Sequence, residues 1–281
     1  MLRTFRQVDV FGQEPYTGNP LAVVLDATGL TEEAMRRFAV WSNLSECTFV
    51  LPPSTPEADY RVRIFTLDTE LPFAGHPTLG TARAWLDAGG TPAREGVVVQ
   101  ECGAGLVPVR RDGDRLAFAA PPLVRTGEVD AATLTRALEV LGLTPNDLVA
   151  AQWIDNGPGW LGLLLDDVDT LLRVQPHVSA DPEPWFLGLI APLDADAPEA
   201  DGASFELRAF FGSDLREDPV TGSLNASAAQ WLLATGRATA PYVAHQGTAL
   251  GRRGRIHISQ SDGQIWVGGS THVAVSGLID L

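Results

Sequence analysis

Two short stretches place reactive side chains where a helix begins. In Phe73-Ala-Gly-His-Pro-Thr-Leu-Gly80, Gly-His-Pro stands at the mouth of a helix of small residues. Glu217-Asp-Pro-Val-Thr-Gly-Ser-Leu-Asn-Ala226 repeats the arrangement. A helix start offers unpaired N–H groups and the positive end of the dipole, which suit a carboxylate. Gly75 and Gly222 carry no Cβ to keep a ligand from that backbone. His76 and Ser223 follow them, placed to donate or accept. A third group is Glu46, between the helix end Trp41-Ser-Asn-Leu-Ser45 and the apolar run Cys47-Thr-Phe-Val50. Partial burial there raises a carboxyl pKa and suits it to carry protons near neutral pH. Asp218 is either a turn carboxylate or a second acid, and two carboxylates in different environments can take different protonation roles. Plain structural alternatives stand beside these: Ser223 as a helix cap, His76 as a turn residue, Glu46 as a solvated strand start.

Such groups need a scaffold, and the chain supplies one twice. Arg3–Phe11 alternates like a strand, and Asn19–Leu25 reads as its neighbour. Thr31–Val40 has a capping threonine, acidic residues in its first turn and helical apolar spacing. Glu46–Leu51 and Tyr60–Phe65 read as strands, and Thr78–Leu86 as a helix. In the second half Phe205–Phe211 is a strand, then comes a polar Pro-containing loop, then the small-residue helix Gly222–Leu233. Arg111-Asp-Gly-Asp-Arg-Leu-Ala-Phe118 and Ser261-Asp-Gly-Gln-Ile-Trp-Val267 are both turns feeding strands. The repeated order points to internal duplication, with Ala119-Ala-Pro-Pro-Leu123 as the boundary. Small-residue helices fit inside a tight barrel or pack closely on a sheet, and the sequence leaves both open.

Composition narrows the chemistry. With 281 residues and 45% hydrophobic content, the chain can bury one large core or two medium ones. A formal net charge of -15 argues against nucleic acid or an anionic membrane as partner. All 20 basic residues are arginine, so neither a Schiff-base lysine nor a P-loop lysine exists. No metal is expected, because the histidines at 76, 177, 245, 257 and 272 form no pair with ligand spacing. No Gly-x-Gly-x-x-Gly follows a strand. Cys47 and Cys102 read as ordinary core or edge thiols in a reducing compartment, rather than a proton-shuttling pair. The charged, alternating N-terminus reads as no signal segment, so a cytoplasmic location is expected. The segment Gln152-Trp-Ile-Asp-Asn-Gly-Pro-Gly-Trp160 is expected to line a pocket, with a core strand as the alternative.

Four ordered motifs carry a resemblance: Gly18-Asn-Pro-Leu-Ala-Val23, Asn43-Leu-Ser-Glu-Cys-Thr-Phe-Val50, Phe73–Gly80 and Glu217–Ala226, with Gln246-Gly247 and Gly251-Arg-Arg-Gly-Arg-Ile256 beyond them. Together they resemble the phenazine biosynthesis PhzF-like family. The resemblance implies an α+β, diaminopimelate epimerase-like fold of two pseudo-symmetric domains, each a mixed sheet rolled around a central helix. Residues 1–118 would form a hotdog-like half-barrel completed by about 271–281. Residues 119–270 would be its duplicate, with the active site in the cleft between them. It further implies a homodimer and proton transfer without a cofactor. By motif, Glu46 matches the acid/base, and His76 and Asp218 match polar residues around the substrate. Gly75, Gly222 and Ser223 match the carboxylate site, with Asn19 and Gln246 adding contacts. Epimerases of this fold exchange protons through two cysteines at the helix mouths. Here those places read Ala74-Gly-His76 and Thr221-Gly-Ser223, so a two-cysteine mechanism is not expected.

The reading is therefore an isomerase moving a proton between carbons of a small carboxylated substrate. Two alternatives stand beside it: a racemase or epimerase working through Glu46 and another acid, and a ligand-binding protein of the same fold without turnover.

Overall fold

A computed structural model describes residues 1–177, 184–194, 196 and 201–281. The chain divides into two compact units, Met1–Ala119 with Gly268–Leu281, and Ala120–Val267.

In the first unit, β1 (Leu2–Val10) pairs antiparallel with β2 (Asn19–Val24), in a register that sets Val8 against Leu21 and Val10 against Asn19. After helix α1 (Glu32–Ser42), β3 (Cys47–Leu51) joins β2 in parallel, and β4 (Tyr60–Phe65) pairs antiparallel with β3. The two-residue β5 (Glu70–Leu71) adds to β4 and leads into helix α2 (Gly75–Asp87). Then β6 (Val97–Cys102) runs parallel to β4, and β7 (Gly105–Asp112) and β8 (Arg115–Ala119) follow as antiparallel neighbours. The last strand of the chain pairs with both β8 and β1. The ring of pairings closes into a barrel with no free edge.

α2 packs against β1, β2, β3, β6, β7 and β8, so it lies inside that ring. Small residues make this fit. A Cβ on Gly80 would stand 2.6 Å from Leu21 Cδ2 and 2.9 Å from Val10 Cγ2. α1 covers the outside, where Met35 and Ala39 pack on Ala22, Val24, Cys47, Phe49 and Phe65. Its start is capped by Thr31, which accepts from the Ala34 N–H at 3.2 Å, and its end by Asn43 at φ 56°.

In the second unit, β9 (Arg125–Gly127) pairs with β10 (Leu148–Asp155), which pairs antiparallel with β11 (Leu161–Leu165). Helix α3 (Ala131–Leu141) lies between β9 and β10 in sequence, and α4 (Val168–Arg173) follows β11. β12 (Trp185–Pro192) is parallel to β11, and β13 (Phe205–Gly212) antiparallel to β12. β14 (Arg216–Asp218) folds back on β13 before helix α5 (Gly222–Ala234). β15 (Tyr242–Gln246) is parallel to β13, and β16 (Gly254–Ser261) antiparallel to β15. The final strand, β17 (Gln264–Asp280), begins here and ends in the first unit's ring.

Alternation along these strands sorts two faces. Leu161, Leu163, Leu165, Leu187 and Leu189 pack against α3 and α4. Gly162 and Gly188 point the other way, where a Cβ would meet Trp231 and Leu224 of α5. The Ser261–Gln264 turn places Asp262 at φ 53° and Gly263 at φ 75°, the paired positive values of a tight hairpin.

α2 starts at Gly75, three residues before the Thr78 start expected from sequence, so Gly75, His76 and Pro77 form its first turn. Proline is tolerated there because no intrahelical bond needs its missing N–H.

Candidate active site

In the first unit, alternation delivers Glu46 to the inner side of the sheet. Cys47 faces α1 and the outer core, whereas Thr48 faces inward and accepts from the Thr81 hydroxyl of α2 at 2.8 Å. Glu46, two residues before Thr48, shares that inward face. The turn before it is tied down: Asn43 takes the left-handed conformation, and Ser42 Oγ lies 3.0 Å from Cys47 Sγ. Asn19 reaches the same place from the start of β2, on the face that Leu21 presents to α2. His76 arrives from the first turn of α2.

The three meet. Asn19 Nδ2 lies 3.4 Å from His76 Nδ1, and His76 Nε2 lies 3.4 Å from Glu46 Oε2. An amide nitrogen donates and never accepts, so Nδ1 is the acceptor and the ring proton sits on Nε2. Burial pushes the His76 pKa down to about 3, because the 4% exposed ring cannot be hydrated as a cation. His76 is thus a neutral donor whose Nε2–H faces the Glu46 carboxylate. The approach lacks hydrogen-bond alignment, and among the described residues nothing bonds His76 Nε2. Glu46 is 16% exposed. It is neither the solvated strand start nor a fully sealed acid.

In the second unit, Asp218 ends β14, and its Oδ2 accepts from the Thr221 hydroxyl at 2.6 Å. Thr221, not Ser223, occupies the N-cap of α5, which corrects the capping alternative for Ser223. Ser223 is the second residue of the helix. Neither Ala74 nor Thr221 caps its helix through its side chain. Gln246, at the end of β15, does that work instead. Its Oε1 accepts from the Thr221 N–H at 2.9 Å and Asn225 Nδ2 at 2.8 Å. Its Nε2 donates to the Asp218 carbonyl at 3.1 Å and Thr221 Oγ1 at 2.9 Å. Its amide is committed in this way to bracing the α5 mouth.

The structure therefore gathers Asn19, Glu46, Gly75 and His76 in one unit, and Asp218, Gly222, Ser223 and Gln246 in the other. Both cysteines are free. Burial pushes the Cys47 thiol up to about 11 and raises that of Cys102, which suits neither to ionise near neutrality. Among the described residues no three of His, Cys, Asp and Glu are grouped so as to hold a metal ion.

Sequence reasoning missed two supports. Asp9, 3% exposed, accepts from the Thr17 N–H at 3.0 Å and the Gly18 N–H at 2.9 Å, wrapping the loop that delivers Asn19. The signal was an acid inside an apolar strand followed by a glycine-bearing turn. Trp160, in the segment expected to line a pocket, donates its indole N–H to Ser223 Oγ at 3.0 Å. Nearby, Asn156 Nδ2 donates to the Ser223 carbonyl at 2.9 Å.

A family model described as "Phenazine biosynthesis-like protein" matches residues 8–278. The chain belongs to this family. A relative, antisense-enhancing sequence 1 of Schizosaccharomyces pombe, is 32% identical over 98% of this chain and 97% of its own length. The trans-2,3-dihydro-3-hydroxyanthranilate isomerase of Pseudomonas aeruginosa is 38% identical over 60% of this chain and 59% of its own. The crystal structure of a PhzF-family protein from Enterococcus faecalis superposes with a TM-score of 0.80 at 24% identity, covering all of both chains. That likeness shows the fold: mixed sheet with a barrel core. No helix among the described residues is long and apolar enough to cross a membrane.

Proposed function

We propose that this chain is an isomerase that moves a proton between carbons of a small carboxylated substrate by acid/base catalysis, with Glu46 as the acid/base and no cofactor. The observation that carries the proposal is the buried, neutral His76, whose Nε2 stands 3.4 Å from Glu46 Oε2. A carbon acid is weak, so its removal needs donors where negative charge develops. A neutral imidazole supplies one without taking the proton that the glutamate must carry. The relative named as trans-2,3-dihydro-3-hydroxyanthranilate isomerase supports the reaction class and a carboxylated substrate.

In this reading Glu46 removes a proton from one carbon and returns it at another, in a pocket that limits exchange with water. His76 donates to the developing charge, and Asn19 holds its tautomer. Asp218 is the second polar group at the substrate. At the α5 mouth the Gly222 amide and the Ser223 hydroxyl are donors for a carboxylate, and the Gly75 amide offers the same at the α2 mouth. Gln246 braces the α5 mouth.

Pseudo-symmetry belongs to the same proposal. In each unit a parallel pair (β2–β3, β11–β12) is followed by an antiparallel partner (β4, β13), a short returning strand (β5, β14), the small-residue helix (α2, α5) and a parallel strand (β6, β15). Two unpaired cysteines favour a cytoplasmic setting, and the family resemblance favours a homodimer.

The test is an NMR assay in D2O with trans-2,3-dihydro-3-hydroxyanthranilate and other small amino and hydroxy carboxylic acids. Migration of unsaturation with deuterium entering carbon is the expected result. Inversion at a stereocentre would move the assignment to a racemase, and binding without exchange to a ligand-binding role.

A further inference from the structure

The Ser223 hydroxyl has a defined polarity. Indole nitrogen is a donor only, so in the 3.0 Å contact Trp160 Nε1 donates and Ser223 Oγ accepts. One hydroxyl proton remains, and among the described residues no acceptor takes it.

Trp160 is held to this task. It is 2% exposed and packs edge-on against Phe186 with ring centroids 5.7 Å apart. The turn before it is fixed by Asp155 Oδ1, which accepts from the N–H groups of Gly157 at 2.7 Å and Gly159 at 2.6 Å. Gly157 at φ 138° and Gly159 at φ 105° take backbone conformations that other residues rarely adopt. The Ile154 N–H then donates to the Trp160 carbonyl at 3.0 Å and closes the turn. Asn156 of the same turn grips the Ser223 carbonyl. One rigid turn thus holds Ser223 at two atoms.

We infer that Trp160 is a positioning residue that fixes the Ser223 hydroxyl as a hydrogen-bond donor, making this helix mouth selective for a carboxylate over its neutral amide. This rests on the carboxylate role proposed above for Ser223. Without the indole N–H, nothing fixes the hydroxyl as an acceptor on that side, so it is free to rotate and its proton is no longer directed at the ligand.

The test measures binding of 2-aminobenzoate and 2-aminobenzamide by calorimetry to the full chain. Four proteins are compared: wild type, Ser223→Ala, Trp160→Phe and the double variant. In a fifth, Trp160 is replaced by β-(3-benzothienyl)alanine, which keeps the indole shape and lacks the N–H, so packing is preserved if Trp160→Phe folds poorly. Wild type should hold the carboxylate about tenfold or more tighter than the amide. Ser223→Ala and the benzothienyl protein should each lose about that factor for the carboxylate alone, and the double variant no more than either single one. If Ser223→Ala weakens the carboxylate while both Trp160 replacements bind as wild type, the inference falls and the role of Ser223 stands. If wild type does not favour the carboxylate, or Ser223→Ala leaves it unchanged, the role of Ser223 falls and the inference with it.

Discussion

His76 Nε2 and Glu46 Oε2 stand 3.4 Å apart, with the histidine held neutral by burial and its far nitrogen facing the Asn19 amide. An acid/base beside a neutral donor differs from one beside a cation. A cationic partner would hold the glutamate ionised and weaken it as a base, whereas a neutral N–H lets it change protonation state during turnover.

The state of His76 can be observed directly. Long-range proton–nitrogen NMR should show Nε2 protonated and Nδ1 bare, with no imidazolium forming between about pH 8 and pH 5. The folded pKa lies below the unfolded one, so the unfolded chain binds the extra proton. This part of stability is full above about pH 6.5 and is lost as pH falls toward about 3. Titration of His76 near pH 6.5 would contradict the assignment.

Gln246 should matter to stability and to rate. Gln246→Ala removes four hydrogen bonds from buried partners, an expected loss on the order of 2–4 kcal/mol in urea denaturation. Asp218 loses one of its braces, so turnover should fall while the fold persists. Unchanged stability would show that the bonds are replaced by water.

Gly80→Ala sets helix propensity against packing. Alanine gains about 1 kcal/mol in a helix interior. Its Cβ would press on Leu21 and Val10 at 2.6 and 2.9 Å, an overpacking cost of roughly 1–3 kcal/mol. Net destabilisation is expected because the barrel wall surrounds α2 and leaves the two side chains little room. A more stable variant would mean that the wall yields.

Much of this architecture was legible as sequence. The cap at Thr31, the helix end at Trp41–Ser45, the Asp-Gly turn before Gln264, and the strands at Tyr60 and Phe205 are local signals, set by residues a few positions apart. The helix mouths were legible as places. Their workings were not, because Asn19 and His76 are 57 positions apart, and Trp160 and Ser223 are 63 apart. Only closure of the ring and the strand register bring such pairs together. The start of α2 at Gly75 is hidden in the sequence because Gly-His-Pro has the composition of a loop, although proline is harmless in a helix's first turn.

The buried acid Glu206 gives the opposite pH signature to His76. Burial raises the Glu206 carboxyl to about 7, beside His245 Nδ1 at 3.7 Å and under the Thr248 hydroxyl at 2.9 Å. The folded state therefore holds a proton that the unfolded chain releases above about pH 4.5, and stability falls as pH rises toward 7. Glu206→Gln should gain on wild type between about pH 5 and pH 8, reaching on the order of 1–3 kcal/mol. A constant difference across that range would contradict the shift.

The central claim is tested most directly by substrate-carbon deuterium exchange in Glu46→Gln. Wild type and variant are run side by side in D2O on trans-2,3-dihydro-3-hydroxyanthranilate and the carboxylic acid panel, with folding checked by circular dichroism. The predicted result is exchange by wild type and a loss of at least about a hundredfold in the variant, the usual scale for a general acid/base. Exchange that survives undiminished in Glu46→Gln would contradict the account and pass the proton to Asp218 or His76.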